Sequence, residues 1–409
     1  MKWKDFCLRI TIQHKVNIYI STQLSLIMDQ FSIKCKNIVT PAGIVGKSYI
    51  NINKDKIESL SDKPVYSNIL DHHNDIVLPG FIDIHTHGYF GIDASTASSE
   101  EILYWAKMLA KNGVTSFIPT CVSLPLDQFF KFIDNVKYAM QNQSPGEARI
   151  LGARSEGPYI NISRKGAHNP EYIRDIDIDE INNIIKYSRG VLRIIDIAPE
   201  LKNFDDAMQL FSRNGIIVSI GHTDANYITA NNALLSGVRL MTHFYNAMTQ
   251  FDHRNPGVVG AGLLSKNAYL EIISDFHHVS REAIEIMINN VDYNHVIEIT
   301  DSLSIGGTEN NEAKLGGLNI IIKDGVAWIK DTNTIAGSIL EMKQAYKNLR
   351  GLGITANNIS KLLSYNQAQL LGLNTGNVSS GMVADLCFMD DAGMITDTMV
   401  SGVFVNNLK

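Results

Sequence analysis

Several things are scarce in this chain. Although 45% of its 409 residues are hydrophobic, no apolar run approaches the ~18 residues of a membrane-spanning helix, so no membrane partner is expected. Basic charge is not in excess: 36 Lys plus Arg stand against 42 Asp plus Glu, a formal net charge of -6. That balance leaves no electrostatic footprint for nucleic acid. An anionic ligand would have to be met by a local basic site. Only four cysteines occur, Cys7, Cys35, Cys121 and Cys387, with no C-x-x-C pair. This argues against a thiolate zinc site or a disulfide framework and fits a reducing, cytoplasmic setting. No G-x-G-x-x-G follows the first strong strand pattern, which disfavours a dinucleotide-binding open sheet. Residues 1–27 lack both a small-residue cleavage site and a sustained period, their apolar residues being broken by Gln13, His14, Asn17, Thr22 and Gln23. They are expected to be an extension outside the fold.

What is present begins with "IVLPGFIDIHTHG". The apolar, β-branched run reads as a buried strand. Residues i and i+2 of a strand share a side, so His85 and His87 aim two imidazoles at one point where the strand ends. Imidazole is the commonest side-chain ligand of zinc and similar ions. An isolated H-x-H is more often just a pair of hydrogen-bonded polar residues, so the rest of the chain must decide.

At this length two units, or one large barrel with an appendage, are expected. Residues 28–78 and 375–409 both carry short alternating strands, such as "FSIKCKNIVT" and "GMVADLCFMD", and neither stretch makes a core alone. Both chain ends are therefore expected to build one small β-sandwich domain. Across 79–374, apolar strands at 76–84, 114–120, 148–155, 192–198, 215–221, 239–243, 269–275 and 295–300 alternate with helical patterns. Ile102, Leu103, Ala106, Leu109 and Ala110 form one helix face; Ile284, Ile286, Met287 and Ile288 mark another; Ile339, Met342, Ala345, Tyr346 and Leu349 a third. About eight βα units in about 300 residues is the pattern of an α/β protein of the (β/α)8, TIM-like type.

Such a barrel keeps its chemistry at the C-terminal ends of its strands. Strand one ends at His85 and His87, and strand three runs into Glu156. Strand five ends at His222 and strand six at His243. Strand seven runs into Asp275 and His278, and strand eight ends at Asp301. Metal-competent groups gathered at one end of the barrel point to a metal-dependent hydrolase.

The motifs "PGFIDIHTHG", "EGPYI", "KGAHNP", "GHTDA", "THFYNAM", "HRNPGVVGAGLL", "ITDSLSIGG" and "AGSILEM" follow one another from about residue 35 to the C-terminus. In kind and order they resemble those of the N-acetylglucosamine-6-phosphate deacetylases, of the amidohydrolase superfamily. The first motif is shared widely; "EGP…KGAHNP" with the Asn-Ala-Met and Arg-x-Pro-Gly segments is more specific. The resemblance implies hydrolysis of the N-acetyl group of an amino-sugar 6-phosphate. It places an essential metal on Glu156, His222 and His243, and a second, optional metal on His85 and His87. It makes Asp301 the acid/base and gives His168 the acetyl oxygen. Substrate contacts fall on Ala167, His168, Asn246, Ala247, Arg254, Asp275, His278, Ile335, Ala336 and Gly337. One or two divalent ions per subunit are implied, zinc first, with iron, manganese or cobalt able to use the same ligands. The partner is a small sugar phosphate, and a homodimer or homotetramer is implied.

The pattern is not matched everywhere. Arg154 and Ser155 stand where the family has His-Leu, Phe276 stands for a glycine, and "NQAQLLGL" replaces an Asn-Pro-Ala pattern. Within the implied chemistry, Asp301 would take a proton from the attacking water and return it to the departing amine. Arg254 would fork onto phosphate. The galactosamine epimer, another N-acyl or cyclic amide, and an inactive scaffold are the competing readings. The last should have lost Glu156, His222, His243 or Asp301, and all four are present.

Overall fold

The computed structural model describes residues 29–405. The expectation about residues 1–27 lies outside the described residues. Eight parallel strands follow one another round a barrel: Phe81–Thr86, Val114–Cys121, Ala153–Ser155, Leu192–Ile197, Ile217–Ile220, Leu240–Met241, Tyr269–Ile272 and Val296–Glu298. Arg149–Ile150 adds a short parallel pairing beside the second strand. The gap between strands eight and one is bridged just past the eighth: the Asp301 amide donates to the His85 carbonyl at 2.9 Å, and Thr300 Oγ1 donates to Asp83 Oδ2 at 2.6 Å. The strands are short, buried and rich in Ile, Val and Leu, as sheets covered by helices require.

The helices form where their patterns demand. Ser99–Ala110 starts with a capping box, Ser98 accepting from the Glu101 amide while the Glu101 carboxylate accepts from the Ser98 amide. It buries Ile102, Trp105, Ala106, Leu109 and Ala110. In Arg281–Asn290, Ile284 and Met287 face inward, but Ile286 is 56% exposed, so that face is narrower than the sequence suggested. Ile339 precedes the helix Met342–Gly351 and is not part of its buried face.

The chain ends form a single mixed eight-stranded sheet. Gln30–Thr40 and Ile69–Pro79 run parallel at its centre, and Leu386–Met389 pairs antiparallel with Ile69–Pro79. Its edge strand Lys56–Ser61 returns to the C-terminal segment through a bridge from Lys56 to Val383. The sheet thus folds over a shared core of Phe31, Ile33, Ile50, Val77, Leu386 and Phe388. The apolar run 76–84 therefore serves two sheets, one up to Pro79 and the other from Phe81.

One element escaped the sequence reading. After strand eight, Glu312–Leu315, Leu318–Lys323 and Val326–Ile329 form a three-stranded antiparallel sheet. It packs Leu315, Ile320 and Ala327 against Val122, Leu303 and Ile305, over the C-terminal end of the barrel. No helix among the described residues is long and apolar enough to cross a membrane.

Candidate active site

A cavity of about 470 Å³ opens at the C-terminal end of the barrel. Glu156 stands at its floor, 4% exposed. Its Oε1 is 3.0 Å from His222 Nε2 and 2.9 Å from His243 Nε2, and its Oε2 is 3.1 Å from His87 Nε2. Asp301 Oδ1 lies 3.1 Å from His87 Nε2 and 3.5 Å from His85 Nε2. His85 is fully buried just behind the cavity wall. Residues from strands one, three, five, six and eight thus converge within one cluster.

The backbone is bent to achieve this. His222, His243, Tyr245, Ala247, Phe276 and Asp301 all have positive φ, between 27° and 81°, at or just beyond strand ends. Such left-handed non-glycine residues gather at sites where the surroundings over-determine them.

The hydrogen bonds behind the rings set the tautomers. His222 Nδ1 lies 2.7 Å from the Arg164 carbonyl, and His87 Nδ1 lies 3.0 Å from the Thr120 carbonyl. A carbonyl only accepts, so in both neutral rings Nδ1 carries the proton and Nε2 presents a lone pair to the cluster. His168 is the reverse. Its Nδ1 accepts from the Ser123 amide at 3.2 Å, so its Nε2 carries a proton and donates toward Glu156 Oε2 at 3.2 Å. His168 therefore offers a donor where the others offer ligands.

Charge in the cluster is strongly biased. Burial raises the Glu156 carboxyl, but His168 and His87 outweigh it and hold it well below the usual carboxylate range. Burial likewise raises Asp301, yet His85 and His87 bring it down to about 2. His168 is driven down to about 4 by burial, against the pull of Glu156, and stays neutral. Burial opposes protonation of His85 and His87, but Glu156 and Asp301 outweigh it, lifting His85 to about 9 and His87 well above the usual imidazole range, so the anionic carboxylates hold protons on these rings that a bound cation would displace. His243 Nδ1 and Asp301 Oδ1 are also buried without a hydrogen-bond partner. Three groups have metal-ligand spacing: His85, His87 and Asp301; Glu156, His168 and His222; and His85, Glu156 and Asp196, which draws on both of the others. The donor set, oxygen and imidazole nitrogen without thiolate, fits zinc and similar divalent ions.

Most of the expected substrate positions line the same cavity: Ala167, His168, Asn246, Ala247, His278, Ile335 and Gly337. Gly337 has φ +47, and a Cβ there would come 2.8 Å from the Asp301 carbonyl, so only glycine fits. Three of the expected positions lie off this lining. Asp275 does not line the cavity; its Oδ2 holds His278 Nδ1 at 2.7 Å and so orients that ring. Ala336 is 1% exposed and belongs to the apolar contacts beneath the added sheet. Arg254 is exposed in a turn where its amide donates to Asp252 Oδ1, and it is absent from the lining of its own cavity. The loop after His243 turns outward before it reaches Arg254.

The cavity also contains residues that the sequence reading missed. Arg164 is the one lysine or arginine among its described lining residues, and its guanidinium pairs with Asp224 at 2.8 Å. Asn333 and Thr334, beyond the added sheet, complete the rim. Phe276, the substitution that put the sugar pocket in doubt, is not in the lining; its ring lies under the Arg281 guanidinium, 3.9 Å from the ring centroid.

Residues 76–405 match the amidohydrolase family. The chain belongs to that family. Its members are generally dependent on divalent metals, and the cluster of Glu156, Asp301 and the imidazoles can hold one. The chain is 36% identical over 331 residues to the N-acetylglucosamine-6-phosphate deacetylase of Lysinibacillus sphaericus, covering 80% of this chain and 84% of that protein. It is 29% identical over 373 residues to the N-acetylgalactosamine-6-phosphate deacetylase of Escherichia coli O157:H7, covering 90% and 98%. Among solved structures, a mutant N-acetyl-D-glucosamine-6-phosphate deacetylase from Mycobacterium smegmatis, in complex with N-acetyl-D-glucosamine-6-phosphate, superposes with a TM-score of 0.86 at 26% identity. That match covers 92% of this amidohydrolase and 99% of the other chain.

Proposed function

We propose that this amidohydrolase is a metal-dependent deacetylase that converts N-acetylglucosamine 6-phosphate into glucosamine 6-phosphate and acetate. The observation that carries the reading is the division of labour among the imidazoles. His87 and His222 have Nδ1 tied to carbonyls and turn inward an Nε2 that a cation can claim beside Glu156, while His168, its Nδ1 accepting from the Ser123 amide, turns in a fixed N–H. A site of this kind needs both a cation holder and a donor for the carbonyl oxygen.

In this reading Glu156, His222 and His243 hold the essential ion, and His85, His87 and Asp301 could hold a weaker second one. Zinc is the first choice. Three protein ligands leave a coordination position open. A divalent ion bound there supplies Lewis acidity toward water and the acetyl carbonyl. Asp301, an anion before any substrate arrives, accepts the proton of the attacking water and delivers it to the amine nitrogen as the C–N bond breaks. The Nε2–H of His168 donates to the acetyl oxygen as negative charge develops on it. His278, braced by Asp275, and the backbone around Ile335 and Gly337 face the sugar. Arg164, with Asn246 and Ala247 nearby, is the in-cavity candidate for the phosphate.

A second reading, the galactosamine epimer, is favoured by the Escherichia coli relative. We further propose a cytoplasmic homodimer or homotetramer. Ile228, Leu235, Phe251 and Leu264 are each at least 60% exposed, on or beside two helices that pack together, and this supports self-assembly. The test is acetate release by metal-stripped and zinc-restored protein from N-acetylglucosamine 6-phosphate, its galactosamine epimer and unphosphorylated N-acetylglucosamine. Activity that survives complete metal removal, or a preference for the unphosphorylated sugar, would overturn the assignment.

A further inference from the structure

Directly beneath the cluster the barrel interior is ionic, where barrels usually stack branched apolar side chains. Arg154, on strand three, is completely buried. Its Nη2 donates to Asp196 Oδ1 at 2.9 Å and to Thr242 Oγ1 at 3.2 Å, and its Nη1 donates to the Ile84 carbonyl at 3.3 Å. The same guanidinium forks onto Glu271 of strand seven, through Nη1 to Oε1 and through Nη2 to Oε2 at 3.2 Å. One side chain thereby ties together strands one, three, four and seven and the end of strand six.

Glu271 makes this more than a structural brace. Its Oε2 also meets His85 Nδ1 at 3.2 Å and accepts from the His243 amide at 3.2 Å. A carboxylate behind a ligating imidazole fixes the ring and raises the basicity of its other nitrogen. Glu271 could do that fully for His85 only if it kept its charge to itself. Here it shares that charge with a permanent cation, and Arg154 and His85 meet the same oxygen. Arg154 thus weakens the support behind His85 and adds positive charge beside the half of the cluster formed by His85, His87 and Asp301. In the half formed by Glu156, His222 and His243, Glu271 reaches the His243 amide and no imidazole nitrogen, and His222 is backed by the neutral Arg164 carbonyl.

We propose that Arg154 is a positioning residue that makes the site unequal, holding His85 in place through Glu271 while opposing a second divalent ion at His85, His87 and Asp301. The inference rests on the metal-dependent reading above and adds a cause for the inequality of its two halves.

The test reads metal binding by calorimetric titration of stripped full-length protein with zinc, with metal content confirmed after desalting. Wild type should bind one ion tightly and the second at least roughly tenfold more weakly, the scale expected of a charge at this range. Arg154→Lys, which keeps the charge, should behave alike. Arg154→Met should raise the affinity for the second ion by roughly tenfold or more. Because that variant strands two buried carboxylates, Arg154→Met/Asp196→Asn serves as the charge-compensated form, leaving Glu271 unshared behind His85. It should show the same gain. Two equal ions in wild type, or no gain in a folded Met variant, overturns the proposal while leaving the deacetylase reading intact. Wild type that binds no divalent ion overturns both.

Discussion

Replacing Asp301 by asparagine separates the proton carrier from everything else that this residue does. The main chain is fixed on both sides of the side chain: the Asp301 amide donates to the His85 carbonyl at 2.9 Å, and its carbonyl accepts from the Ser338 amide at 2.7 Å. Its φ is +49, a conformation that Asn adopts as readily as Asp. The new amide has the same shape and sits where Oδ1 now lies 3.1 Å from His87 Nε2. Fold and tight metal binding at Glu156, His222 and His243 should therefore survive. What is lost is an anionic base, whose ionisation burial opposes and whose pKa His85 and His87 hold down to about 2. General acid–base catalysis is worth roughly 10²–10⁴-fold, or about 2.7–5.4 kcal/mol of barrier. A residue that both takes and returns the proton should fall at the upper end. The assay is acetate release from N-acetylglucosamine 6-phosphate, with bound metal counted in the same samples. The loss should appear in kcat, with KM little changed. An Asp301→Asn protein carrying its full metal and turning over within about threefold of wild type would refute the role, since the effect argued from is at least about a hundredfold.

His222→Ala should lose tight zinc binding and activity together, whereas His85→Ala/His87→Ala should keep one ion per chain; a double variant that is metal-free beside a loaded His222→Ala would reverse the assignment. Arg164→Ala and Arg254→Ala should be compared on phosphorylated and unphosphorylated substrate. The Arg164 side chain is 37% exposed, so its loss should cost less than the about 2–5 kcal/mol of a buried charge pair: Arg164→Ala should lower kcat/KM for the 6-phosphate by roughly tenfold and spare the neutral sugar; if Arg254→Ala alone does this, the phosphate is held from outside the chain's own cavity. Glu298 is buried, and burial, against two hydrogen bonds from Ser274, lifts its carboxyl from 4.5 to about 8. The folded state then holds a proton that the unfolded state has released. The resulting stability is complete below about 4.5 and is lost as pH rises to about 8, at about 1.4 kcal/mol per unit. Glu298→Gln should flatten the fall of Tm between pH 5 and 9, and parallel wild-type and variant curves would sink that reading.

The barrel was legible because each strand is a short apolar run that ends abruptly in a polar group, and the cluster was legible because those groups all end strands. What lay off the strands was harder. The added sheet carries its own signals, Gly316-Gly317 and Asp324-Gly325 between runs such as "LNIIIK" and "VAWI", which are hairpin turn pairs. Counting eight βα units left no place for it. Arg254 is given to the substrate by the resemblance alone; it follows His243 by eleven residues, and sequence distance does not say which way a loop turns. Arg164 sits in a segment with no period and gives no sign that it faces inward. Arg154, Asp196 and Glu271 did leave a trace, a charge inside an otherwise apolar strand, which in a covered parallel sheet must find a buried partner.

The loop from Asn161 to His168 shows why substrate and metal sites cannot be treated as independent. The Arg164 carbonyl fixes the His222 tautomer at 2.7 Å, while the Arg164 side chain faces the cavity. Two residues on, Gly166 has φ +53, and any Cβ there would come 3.0 Å from His222 Cε1. Two residues further, His168 turns its N–H toward the carboxylate that also meets His222. The spacing of "RKGAH" is therefore set by one imidazole: the chain must accept its proton, give it room and then pass a donor over Glu156. A movement of this loop toward a bound phosphate would act on His222 as well. Affinity for substrate and affinity for metal are linked through that backbone, and each should change the other by the same factor.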